Sequence, residues 1–418
     1  MMLGTSKARR IIIYGAVSSA RPKTGLLPTL KSHIKTLLVG GRDTLLWRLG
    51  SSRHFDYRNY LTASVFNRGD EAITAATRKQ LLHIDPDIEF IDVDWGNLDA
   101  AVRKETVRGI DLIVIAGSGY IALDGQGKLS DRINQDLQAL SNTDAPMVLY
   151  GVGVNQLLES RMAGEELTLN PASVPSLRSI LARASLTGVR DQATQDLLKQ
   201  FSDKPVTLTG DPALYFSEVQ AIANDGKPGA KAQPVVGINF ALHGPMANAR
   251  FKRNLRAYVE ALKRLQLLSG CRFVYFVHFG TELIIPRLLA ASGIRTEIVC
   301  GNPDTLAQGY SKLSLHIGEM LHSNILAMSS GTPTIALAYD IKHIGFFKLL
   351  NIEHNCFSSV EFAPDLIINM ALEILKTEAT IRERIRERRE VLEKGANQFI
   401  ESCALLTSDA DPVKVKYS

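Results

Sequence analysis

Two periodicities alternate along this chain. Short, mostly apolar runs rich in β-branched residues are followed by longer stretches with apolar residues three and four positions apart. Residues 60–66, 88–93, 111–116, 146–151, 186–190 and 206–209 read as strands. Residues 70–83, a stretch ending near 107, and residues 130–140, 174–184 and 192–201 read as helices. This alternation predicts parallel strands joined by crossover helices. At the start, Lys7, Arg9 and Arg10 precede the apolar run Ile11 to Val17. The order is that of a secretory leader, but Gly15 interrupts a run that is already short, so it reads as a first strand or an extension.

The polar segment 224–233 (NDGKPGAKAQ) has no apolar periodicity and reads as a linker. The alternation then restarts, with strands at 235–240, 272–277, 296–299, 313–316 and 334–337. Helices are expected at 249–268, 282–291 and 320–328, and residues 363–406 are helical throughout. The reading is an extension of unassigned role (1–59), a Rossmann-like domain (60–223), the linker, a second Rossmann-like domain (234–362) and a helical C-terminal segment (363–418). Open α/β sheets bind ligands at the carboxyl ends of their strands, so the site belongs in the cleft between the two domains.

Composition narrows the function. With 45% hydrophobic and 22% charged residues, the 418-residue chain affords large cores and is not disordered. A net charge of +5 is slight for this length. It points away from nucleic acid and suits small anionic substrates. The run IRERIRERREVLEK at 381–394 mixes signs at helical spacing, the pattern of a solvated face, with peripheral membrane contact as a second reading. Four scattered cysteines without a CxxC pair fit reduced thiols in a cytoplasmic enzyme. No run reaches the roughly 18 to 20 apolar residues of a membrane-spanning helix.

Candidate chemistry collects at strand ends. Asn67-Arg68-Gly69-Asp70-Glu71 follows the first expected strand, where Asp70 and Glu71 serve either as helix-capping carboxylates or as a base. Gly117 and Gly119 follow another strand, and Gly151 and Gly153 a third. Their backbone N–H groups are able to approach a phosphate, although glycine also serves close packing. Arg190-Asp191 is an ion pair or an anion clamp. Gly210-Asp211-Pro212 reads as a turn. In the second half, His322 opens a helix after Glu319 and Met320, and Lys342 follows a strand, so a proton donor and a cation share one neighbourhood. Asp92 and Asp94 have the form of a metal-binding DxD but fit a turn better, and no metal is expected.

In this order, NRGDEAI (67–73), IAGSGYI (115–121), GVGV (151–154), GVRD (188–191), GDPAL (210–214) and MLHSNILAMSSGTPTIALAYDIKH (320–343) resemble the polysaccharide pyruvyl transferase family over about residues 60 to 350. The resemblance implies a GT-B-like pair of Rossmann-like domains. It also implies transfer of the enolpyruvyl group of phosphoenolpyruvate onto sugar hydroxyls as a cyclic ketal, with no further cofactor. The acceptor would be a cell-surface polysaccharide or its lipid-linked precursor, met in the cytoplasm or at the inner face of the membrane. His322 then stands as proton donor and Asp70 as proton acceptor. Arg190 and Lys342 grip the donor, and Asn67, Gly69, Glu71, Gly117, Gly119, Gly151 and Gly153 line the substrate site.

Two positions depart from the family pattern: Met320 stands where an anion-holding Arg is expected, and Asn155 where Pro is common. Arg68, His316, His343 and Lys348 are candidate replacements for the missing cation. Two alternatives remain: a nucleotide-sugar glycosyltransferase, for which Glu319 is the available ribose-binding carboxylate, and a degenerate family member that binds glycans.

Overall fold

The apolar run near the start of the chain is a strand. In the structure, a computed structural model describing residues 8–15, 26–60, 66–160, 167–217 and 233–407, β1 (Arg9–Tyr14) lies inside the first sheet. Its companions are β2 (Ile88–Val93), β3 (Leu112–Ala116), β4 (Ile121–Ala122), β5 (Met147–Val152), β6 (Val154–Asn155), β7 (Ala184–Val189) and β8 (Val206–Leu208). Six form one sheet in the order β2-β1-β3-β5-β7-β8, every pair parallel, while β4 and β6 pair separately. The interior strands β3 and β5 are buried at every position, as strands covered by helices on both faces must be. The helices of this half of the chain are α1 (Leu26–Arg48), α2 (Arg68–Ile84), α3 (Leu98–Thr106), α4 (Arg132–Leu140), α5 (Val174–Arg183) and α6 (Gln192–Lys199).

One of these belongs elsewhere. Rather than covering the first sheet, α1 packs on the second domain, where Trp47 joins that core and donates through Nε1 to Ser292 Oγ at 2.7 Å. Residues 8–15 and 26–59 are therefore no appendage: they supply an interior strand to one domain and a covering helix to the other. The strand expected at 60–66 falls, except at its ends, outside the described residues, and Tyr60 closes a 3-10 turn. The expected linker also lies outside them apart from its last residue.

The second domain is built from β9 (Val235–Asn239), β10 (Arg272–Phe276), β11 (Thr296–Val299), β12 (Leu315–Gly318), β13 (Thr334–Ala338) and β14 (Cys356–Ser358). Their order, β11-β10-β9-β12-β13-β14, is the doubly wound order of a Rossmann sheet. Its helices are α7 (Pro245–Ser269), α8 (Ile285–Ala291), α9 (Pro303–Tyr310), α10 (Leu321–Ser329) and α11 (Ile341–Leu349). Gly270 ends α7 in the left-handed conformation (φ 67°), which glycine adopts at no steric cost.

The last helix, α12 (Pro364–Leu405), runs across both domains. Ile367, Ala371 and Ile374 sit in the second core. Beyond a kink at Thr377, Ile385, Leu392, Phe399 and Ile400 sit in the core shared with the first. Its arginines do more than line a solvated face. Arg386 pairs with Glu383 and Glu390 in solvent, as expected. Arg382 Nη1, however, donates to Gly331 O at 2.8 Å, Arg388 Nε to Leu349 O at 2.8 Å and Arg389 Nη1 to Ser329 O at 2.8 Å. The Ser329 and Leu349 carbonyls end α10 and α11, and that of Gly331 lies just beyond α10, where a helix presents unpaired acceptors and negative potential. Among the described residues no helix is long and apolar enough to cross a membrane.

Candidate functional site

Both sheets point their carboxyl ends at the cleft, and a cavity of about 440 Å³ opens there. Of the residues singled out in the sequence, Asn67, Asp70, Gly119, Arg190, His322 and Lys342 all line it, joined by Met320 and Asn155. A larger hollow of about 1030 Å³ lies between α2 and α12. Glu71, His83 and Lys79 are on its wall, but of the residues singled out in the sequence as site residues only Glu71 borders it.

Two helix N-termini meet at the centre. Asn67 caps α2, its Oδ1 accepting from Gly69 N at 3.1 Å and Asp70 N at 3.4 Å, while its Nδ2 donates to Asp70 Oδ2 at 2.6 Å. Asp70 is buried. Burial pushes its carboxyl up to about 6 against the opposing pull of His322 and Lys342, with Asp211 adding to the rise. His322 sits in the first turn of α10, its ring lying over Gly69. A Cβ at position 69 would stand 2.3 Å from Nδ1, so only glycine admits the imidazole here.

The other ring nitrogen, Nε2, faces Asp211 Oδ2 at 3.6 Å. Asp211 was legible only as a turn. Its Oδ1 does cap the turn, accepting from Ala213 N at 3.0 Å, but the second oxygen is buried, has no other partner among the described residues and is turned to His322. At this distance the contact is electrostatic rather than a hydrogen bond, and the His322 side chain lies on the cavity wall.

The remaining wall carries the cations. Arg190 is buried and largely committed. Nε binds Asp191 Oδ2 at 3.2 Å, Nη2 donates to Val154 O at 3.1 Å, and Nη1 reaches Ser118 O at 3.5 Å. Ser118 holds a positive φ of 62°, an unusual conformation for a non-glycine residue and costly by about 1 kcal/mol. The Lys342 ammonium lies 5.3 Å from the centre of the Tyr339 ring, whose face also carries the Arg250 guanidinium at 4.4 Å. Arg250 passed unnoticed in the sequence, since it sits within a long helix and belongs to no motif. Its Nε binds Glu319 Oε1 at 2.6 Å and its Nη1 binds Glu159 Oε1 at 2.7 Å. Burial works against its charge, and the two carboxylates outweigh burial to raise its pKa. His243, stacked on Phe279 at 4.8 Å, closes this side of the cavity.

Other expected site residues lie elsewhere. Glu71 turns away from the cleft, pairs with Arg68 at 2.6 Å and borders the larger hollow. Gly117 and Gly153 have spent their N–H groups on Tyr150 O (2.6 Å) and Ser118 O (3.1 Å). A Cβ on Gly117 would strike Ile73, one on Gly151 would strike Pro212, and one on Gly153 would strike Arg190, so these glycines serve packing. Among the proposed replacements for the missing arginine, His316 and His343 are held neutral by burial, each pushed down to about 3. Arg68 is engaged by Glu71, and Lys348 is exposed at the far end of α11. Asp92 is paired with Arg78 at 2.5 Å, and among the described residues no cluster of His, Cys, Asp or Glu forms a metal site.

The polysaccharide pyruvyl transferase family model matches residues 67–341, which include every cleft residue above except Lys342. The chain belongs to that family. Among solved structures it is similar to a candidate UDP-N-acetylglucosamine 2-epimerase from Listeria monocytogenes (TM-score 0.58, 10% identity, 97% of this chain and 98% of that one). It is also similar to a UDP-GlcNAc 2-epimerase from Neisseria meningitidis bound to UDP-GlcNAc (TM-score 0.52, 9% identity, 95% and 100%). At such identities the likeness is one of fold, the GT-B-like pairing of two Rossmann-like domains. No curated protein gives a match to the chain. The family points to a transferase acting on a polysaccharide.

Proposed function

We propose that the protein transfers the enolpyruvyl group of phosphoenolpyruvate to sugar hydroxyls, forming a cyclic pyruvate ketal on a surface polysaccharide or its lipid-linked precursor. The observation that carries this reading is the His322 imidazole, seated between the carboxylates of Asp70 and Asp211 where the N-termini of α2 and α10 meet in the cleft. Helix N-termini and Lys342 favour an anionic donor.

The residues supply each proton movement. His322 protonates the methylene carbon of the donor through Nδ1, converting CH₂ to CH₃ and leaving a cationic carbon at C2. A sugar hydroxyl oxygen attacks C2 and gives its proton to Asp70, which is ionised above about pH 6. The second hydroxyl then bonds to C2 as the C2–O bond to phosphate breaks, and its proton leaves with the phosphate. The products are the ketal and inorganic phosphate, and Asp70 returns its proton to His322.

The glycosyltransferase alternative needs a free carboxylate for a ribose. Glu319 does not offer one, because Oε1 is held by Arg250 and Oε2 accepts from Ala241 N at 2.9 Å. Thermal-shift titration separates the two readings: phosphoenolpyruvate raises the midpoint and UDP does not. Stabilisation by UDP alone would reverse the assignment.

A further inference from the structure

The cleft holds one cation whose bonding is unbalanced. Arg250 is 1% exposed yet lines the cavity, and it carries two carboxylates on one guanidinium. The two are not equivalent. Glu319 is fully buried, comes from the same domain, and has both oxygens satisfied, by Arg250 Nε and by Ala241 N. It is a permanent anchor. Glu159 comes from the other domain, on a three-residue 3-10 turn (Leu158–Ser160), and holds Arg250 by Oε1 alone. Among the described residues its Oε2 is buried with no partner. A buried carboxylate oxygen without a donor is costly, so this pairing is the weaker one. Among the described residues the third guanidinium nitrogen, Nη2, has no bonded partner, while Tyr339 supports the flat face of the group.

The other cleft arginine is committed to Asp191 and to backbone carbonyls. Met320, at the mouth of α10, offers no charge. Of the cations at the cavity wall, Arg250 therefore combines a rigid anchor with a replaceable counter-ion. A planar guanidinium with Nη1 and Nη2 facing one carboxylate gives the bidentate geometry that anion recognition uses.

Resting on the pyruvyl-transfer reading, we propose that Arg250 is the carboxylate-binding group of the cleft and that Glu159 occupies its seat until the donor's carboxylate displaces it. Glu159 then works as a built-in competitor: its segment stays fixed to the second domain by Leu158 N to Tyr339 O (2.9 Å) and Ile341 N to Gln156 O (3.1 Å), and the donor exchanges one carboxylate for another on the same guanidinium.

Isothermal titration with phosphoenolpyruvate, pyruvate and inorganic phosphate tests this on the full-length protein, its Glu159→Gln variant and its Arg250→Gln variant. Glu159→Gln is expected to bind phosphoenolpyruvate and pyruvate about tenfold more tightly, with phosphate changed little, and Arg250→Gln to lose both. If Arg250→Gln fails to fold, Glu159→Gln decides alone. Phosphoenolpyruvate binding equally to the wild type and to Glu159→Gln would overturn the inference and leave the pyruvyl-transfer reading standing. Pyruvate tightening in Glu159→Gln with no phosphoenolpyruvate bound by any form would support the carboxylate seat and sink the pyruvyl-transfer reading. Tightening of phosphate alone would overturn the assignment to a carboxylate.

Discussion

Position 69 shows how closely single residues determine this site. The His322 ring occupies the space that any side chain there would need. Gly69→Ala is expected to push the imidazole aside and lower kcat roughly 100-fold, as misplacement by about an ångström does, measurable in a steady-state transfer assay. Asp70 gives a test independent of activity. Its carboxyl titrates near 6 in the fold and near 3.8 when unfolded. Between these values the native state binds the extra proton, so its contribution to stability falls as pH rises from about 4 to 6. Asp70→Asn removes that loss and should be the more stable form at pH 7 by up to roughly 3 kcal/mol, with the gap closing near pH 4 in urea titrations. His322, Asp70 and Lys342 were legible in the sequence because each stands in a motif at a strand or helix end. Asp211 was hidden because one of its oxygens does make the turn that Asp-Pro announces. Arg250 was hidden because its partners lie 69 and 91 positions away, a distance no local pattern reports.

At the scale of elements, the alternation of apolar runs and helical stretches located most strands to within two residues, because parallel strands buried on both faces leave an unbroken apolar signature. It could not show that β1 is interior or that α1 crosses to the second domain, since such pairing depends on residues far along the chain. The Arg-rich part of α12 is the clearest case of a pattern with two outcomes. Helical charge alternation is identical for arginines that face solvent and for those that reach helix C-termini. Arg382→Met should cost about 1.5–3 kcal/mol by leaving the Gly331 carbonyl without its donor, read as a drop in the denaturation midpoint. Arg386→Met, whose partners Glu383 and Glu390 are exposed, should leave the midpoint unchanged.

At the scale of the molecule, α12 ties the domains together, and Phe399 is its main anchor in the first. Its ring stacks on Tyr150 at 5.5 Å, and it is buried. Phe399→Ala should cost about 3–5 kcal/mol of stability and loosen the geometry of the cleft, seen as a raised KM beside a lowered melting temperature. Such a strap matters because the site is assembled from both halves: Asp70 and Asp211 come from one, and His322 and Lys342 from the other. Two Rossmann-like halves were legible from periodicity alone, and the cleft followed from where such sheets bind ligands. Which residues face it depended on side-chain directions that only the assembled fold defines.

The most direct test is to incubate the wild type and His322→Gln with phosphoenolpyruvate labelled in its carbon skeleton and a panel of acceptor glycans. The account predicts that the label enters a glycan with stoichiometric release of inorganic phosphate, and that His322→Gln slows this at least about 100-fold. Label transfer at an equal rate by both proteins, or none with any acceptor while a nucleotide sugar is turned over, would contradict it.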